Sequence, residues 1–146
     1  MMEGLIRLLH EEKHSLVVAN GDVRTFDRRG VFDLYDLLRD EPEFLKGASI
    51  ADKVVGKGAA ALMILGDVRE LHADVISKPA LDLLEKSNKV KTACGLMVPY
   101  IKDRSGQGMC PIETLCMECK EAEECLPFIK SFVEEHKNNA PTFKQK

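Results

Sequence analysis

The feature that most constrains this chain is a change of rhythm at Gly47: a hairpin signal precedes it, and strand and helix patterns alternate after it. Residues 15–19 are short and β-branched, Asn20-Gly21 follows, and residues 22–26 alternate Val23 and Thr25 with polar or aromatic neighbours. Asn-Gly between two such runs is a strong hairpin signal, because both residues accept the positive φ of a tight turn. After Gly47 the order is a strand at 49–55, a helix through 59–64, a strand near 68–73, a helix at 78–87 and a strand at 90–98 that ends at Pro99. Parallel strands need crossover helices between them, so the pattern predicts an α/β domain with a mixed sheet and helices covering its faces.

Around this frame, Leu5, Ile6, Leu8 and Leu9 give residues 3–12 an amphipathic helical spacing. Val31, Leu34, Tyr35, Leu37 and Leu38 do the same for 30–38, and Pro42 redirects the chain. Residues 103–108 read as a polar loop, 111–119 and 126–136 as helices, and 138–146 as a flexible tail after a single domain at 1–137. With 146 residues and 45% hydrophobic side chains, the chain can bury a core without disulfide or metal staples. A net charge of -3 offers no basic field, so nucleic acid is not an expected partner. The longest uncharged apolar run, 59–65, falls far short of the ~20 residues of a membrane span. Glu3 and Arg7 interrupt the N-terminal apolar stretch, so no export signal is read and a cytoplasmic, soluble protein is expected.

Gly56-Lys57-Gly58, at a strand-to-helix junction, is the most suggestive backbone motif, since glycines opening a helix let its free amides approach an anion. Two phosphate-binding patterns fit it imperfectly. A P-loop would need glycine at Ala51 and a hydroxyl at Gly58. The dinucleotide fingerprint is met formally by Gly56, Gly58 and Ala61, with Asp74 as the acidic residue. Against it, Asp52 and Lys53 interrupt a strand that should be continuously apolar if buried in a parallel sheet. The competing reading is that the glycines let a short Ala-rich helix pack closely on the sheet.

Five cysteines are an odd number for a disulfide framework and point to free thiols or a metal. Cys110, Cys116, Cys119 and Cys125 follow C-x5-C-x2-C-x5-C, with one metal-type pair where strong zinc patterns carry two. Cys116 and Cys119 share helical spacing with Ile112 and Leu115, which reads as core. Cys110 precedes Pro111 at a helix start, where amides can favour a thiolate. Zinc or an iron-sulfur cluster on the late cysteines stays open as an alternative. Of the four histidines, His10 and His14 read as solvated and His72 as structural, with no evident pair. Common hydrolase motifs are absent from the sequence.

The hairpin, Ala51-Asp52-Lys53-Val54-Val55-Gly56-Lys57, Ser77-Lys78-Pro79-Ala80-Leu81 and Gly108-Met109-Cys110-Pro111-Ile112-Glu113 together resemble a small prokaryotic family of unknown function, over residues 5–133. That resemblance implies a cytidine-deaminase-like, three-layer α/β/α sandwich. Deaminases of that fold hold zinc with His/Cys-x-Glu opening one helix and Pro-Cys-x-x-Cys opening the next. Here Gly56-Lys57-Gly58 occupies the first place and Ser77-Lys78-Pro79-Ala80-Leu81-Asp82 the second, so neither zinc nor another cofactor is expected.

Three functions are compatible with these residues. The first is a small-molecule site for a nucleotide or phosphorylated ligand over Gly56 and Gly58, with Asp52, Lys53 and Glu113 as polar groups, Lys57 as anion holder or base and Cys110 as nucleophile. The second is a non-catalytic interaction or regulatory domain, since fold alone does not confer function. The third is a metal module on the late cysteines.

Overall fold

The computed structural model describes residues 2–28, 31–103 and 105–136; the tail read at 138–146 lies outside them. The chain order is α1 (Met2–Glu11), β1 (Leu16–Asn20), β2 (Asp22–Phe26), α2 (Phe32–Asp40), α3 (Pro42–Leu45), β3 (Ser49–Val55), α4 (Lys57–Leu65), β4 (Glu70–Ser77), α5 (Lys78–Ser87), β5 (Lys91–Val98), α6 (Pro111–Cys116) and α7 (Ala122–His136). One five-stranded mixed sheet runs β2-β1-β3-β4-β5. The hairpin pairs Asn20 with Asp22, and Gly21 reverses the chain at φ +83. β1 also pairs antiparallel with β3, while β3, β4 and β5 are parallel.

Alternation along the strands separates two cores. Val17, Ala19 and Ala51 face α1 and pack with Leu5 and Leu9. Leu16, Val18, Ile50, Leu71 and Ala73 face the larger core with α2, α4, α5 and α7. Helices flank the sheet unequally: among the described residues α1 covers one face, packing on β1 and β3. α4 is buried from Lys57 to Ile64 and apolar all round, as a helix enclosed by neighbours must be. α5 is capped at both ends: Ser77 Oγ accepts from Ala80 N, and Asn88 takes the left-handed conformation at φ 55.

β4 and α7 both exceed their sequence boundaries. β4 continues through Asp74 to Ser77, and α7 begins at Ala122 and contains Pro127. After β5, Asp103 N donates to Gly108 O at 2.8 Å and Asp103 Oδ1 accepts from Ser105 and Gly106. Cys110 N then donates to Ile101 O at 2.8 Å, which returns the chain beside the end of β5 and starts α6.

Candidate functional site

A cleft of about 950 Å³ opens over the C-terminal halves of β3, β4 and β5. Asp52, Val54, Val75 and Val98 form its floor; Phe32 and Phe132 stand on one side and Tyr100, Ile101 and Ile112 on the other. It is mostly apolar with a few polar groups, the usual chemistry of a small-molecule pocket. Of the residues singled out from the sequence, Asp52, Gly56, Gly58, Cys110 and Glu113 line this one cleft. Two do not. Lys53 is exposed and, by strand alternation, on the other face of β3. Lys57 lines a separate, shallower depression of about 430 Å³ with Lys78, Asp82 and Cys119.

The Gly56-Lys57-Gly58 turn is filled by the chain itself. Glu113, 1% exposed, accepts from Lys57 N at 2.7 Å with one carboxylate oxygen and from Ile101 N at 2.8 Å with the other. The carboxylate sits at the start of α4, where helix amides and dipole favour negative charge. That is the position a ligand phosphate was expected to take. Gly58 has a packing reason too: a Cβ there would lie 2.3 Å from Ile112 Cγ2, so glycine is what admits α6 against α4. The Lys57 ammonium, turned away from the cleft, donates to Met117 O at 3.0 Å and Cys119 O at 2.5 Å, capping the end of α6.

Asp52 is built differently. It is 7% exposed and its register partner on β1 is Leu16, while the neighbouring Lys53 amide donates across to Ser15 O at 3.0 Å. Burial pushes its carboxyl up to about 8, with the Asp74 and Asp33 charges adding to the shift. At neutral pH it is largely a neutral acid facing the cleft, able to donate a proton into it. Arg28, at the rim, is already bonded by Asp33 at 2.6 Å and Asp36 at 2.7 Å. Lys102 and Asp103 also reach the rim, so the opening carries mixed charge.

Cys110 lines the cleft as the N-cap of α6, but α6 has six residues and Pro111 supplies no N–H. Cys116, Cys119 and Cys125 cluster on the far side, where Cys125 Sγ donates to Glu121 O at 3.9 Å. Burial and then the neighbouring Cys125 push Cys119 up to about 11; the neighbouring Cys116 and then burial raise Cys125 far above the usual thiol range. Cys116 and Cys125 are fully buried and belong to the larger core. Among the described residues, no group of three or more His, Cys, Asp or Glu is arranged to hold a metal ion. No helix among them is long and apolar enough to cross a membrane.

The histidines depart from expectation. His14 is buried, with Nδ1 2.8 Å from Asp27 Oδ1. His10 and His72 share one carboxylate: their Nε2 atoms lie 2.8 Å and 3.0 Å from the two oxygens of Asp74. His72 therefore faces the α1 side of the sheet. Tyr100, Lys102, Phe132 and His136 in the cleft carry no motif and come together only through the return of the chain at 99–110 and the end of α7.

A family model described as TM1506, a domain of unknown function (DUF1893), matches residues 4–133. The crystal structure of a DUF1893 family protein (TM1506) from Thermotoga maritima is similar with a TM-score of 0.82 at 26% sequence identity, covering 90% of this chain and 88% of that one. No curated protein matches the chain.

Proposed function

The chain belongs to the TM1506 family of domains of unknown function (DUF1893), and we propose that it binds a small organic molecule in the cleft over β3–β5, with the Asp52 carboxyl as the polar anchor. One observation carries the reading: a buried carboxyl, kept near neutrality by its surroundings, faces an apolar cleft large enough for a ring-bearing ligand. The strand order and the helical layers support a cytidine-deaminase-like scaffold whose zinc-ligand positions hold Gly56-Lys57-Gly58 and Ser77 to Asp82 instead. A phosphate at the start of α4 would meet the Glu113 carboxylate. The ligand class therefore narrows to an uncharged or cationic molecule with a hydrogen-bonding edge.

Thermal-shift and calorimetric titration of the whole chain with nucleobases, nucleosides and nucleoside monophosphates at pH 7 test this. Uncharged members are expected to bind the wild type and the Lys57→Met variant and to lose binding in Asp52→Ala, with monophosphates weaker. Equal responses of wild type and Asp52→Ala would overturn the reading, as would no response to any member at millimolar concentration. For a ligand that accepts the Asp52 proton, affinity falls as pH rises through about 8.

A further inference from the structure

We propose that β5 is the two-fold interface of a homodimer, in which the β5 strands of two copies pair antiparallel and join their sheets into one of ten strands. Among the described residues the sheet has two edge strands, β2 and β5. β2 is five residues long and carries Asp22 and Arg24; Arg24 is bonded to Glu41 at 3.0 Å and lies 4.0 Å over the Phe44 ring. Short, charged edges resist pairing with another chain. β5 has the opposite character: eight residues, uncharged from Thr92 to Val98, with Leu96 58% and Met97 46% exposed.

The exposure falls on both faces of β5. Ala93, Cys94, Leu96 and Met97 are all exposed, level with His72, Ala73, Val75 and Ile76 of β4, and successive residues point to opposite faces. Placing the two-fold at Gly95 pairs Cys94 with Leu96 of the second copy, Ala93 with Met97 and Thr92 with Val98, keeping each pair on one face. Apolar side chains then meet apolar ones, and the residue facing its own copy on the axis has no side chain to collide. Lys91 falls opposite Pro99, outside the ladder, where the missing N–H ends the pairing. The same operation on β2 would set Arg24 against Arg24. A free peptide added to β5 would leave its own outer edge open, whereas a second copy consumes both apolar edges and leaves only the two β2 strands outermost.

Sedimentation velocity of the full chain reads the outcome. The wild type is expected at twice 16.3 kDa. Leu96→Lys and Met97→Lys, at exposed positions that leave the monomer fold in place, are expected to weaken dimerisation at least about 100-fold, with unchanged melting temperature for the dissociated monomer. Val23→Lys, on the β2 edge, should remain dimeric. In Leu96→Cys the new thiol lies beside Cys94 of the second copy, so mild oxidation with diamide should yield a covalent dimer, two thiols losing two protons and two electrons to the diazene. A monomeric wild type would overturn the proposal, and so would a dimer that survives both lysine substitutions.

Discussion

Glu113 and Asp52 are both buried carboxyl groups lining the same cleft, and their surroundings differ in kind. Glu113 ties together two segments distant from its own helix, through Lys57 N and Ile101 N, at 2.7 Å and 2.8 Å. Asp52 lines the cleft, and burial raises its carboxyl to about 8. The first charge is saturated and holds architecture; the second is held near neutrality and left available. Burial alone therefore does not distinguish an architectural carboxyl from one that a ligand could reach; the commitment of its oxygens to other segments does.

The largest effect that would test this contrast is Glu113→Ala. It removes two charge-assisted bonds and leaves two amides unpaired, an expected loss of about 3–5 kcal/mol in a urea unfolding curve. Asp52→Asn should act with the opposite sign. Its folded value of about 8 lies above the ordinary 3.8, so folding favours the protonated form. Wild-type stability is then lost as pH rises from about 4 to 8, and the loss is complete above 8. The amide variant escapes it and should be more stable at pH 9 by roughly 2–4 kcal/mol, while matching wild type near pH 4. A wild-type melting temperature that does not fall across that window relative to Asp52→Asn would break the distinction. Gly58→Ala sharpens the Glu113 side: its Cβ would press on Ile112, costing about 1–3 kcal/mol despite better helix propensity. Smallest is Cys110→Ala, expected to change stability by less than about 1 kcal/mol and to leave ligand binding intact; loss of binding would return the thiol to the site.

Much of the fold was legible because local signals and tertiary needs agree. Asn20-Gly21, the β-branched flanks, β3 and α5 lie where turn chemistry, alternation and capping put them. β4 runs past its apparent end at 73, and Asp74 within it is bonded by His10 and His72. Asp52 looked foreign to a buried strand for a sound reason, and a cleft beside β3 resolves it. The Gly56-Lys57-Gly58 motif was visible, but its occupant was not. Glu113 lies 56 positions from Lys57, and no periodicity connects a helix start to a carboxylate that far along the chain. The lysine was similarly misleading, since its carbonyl partners at 117 and 119 have no side-chain signature.

That separation also has a kinetic side. The contacts of Lys57 with Glu113, Met117 and Cys119 span 56 to 62 residues, whereas β3, α4 and β4 follow one another directly. Closing so long a loop costs chain entropy before any bond repays it, so the β3–α4–β4 unit is expected to order before α6 docks onto it. The Lys57 amide proton is consequently a gauge: its hydrogen-exchange rate reads how often the α6 wall lifts away from the sheet, and with it how often the cleft is taken apart and rebuilt.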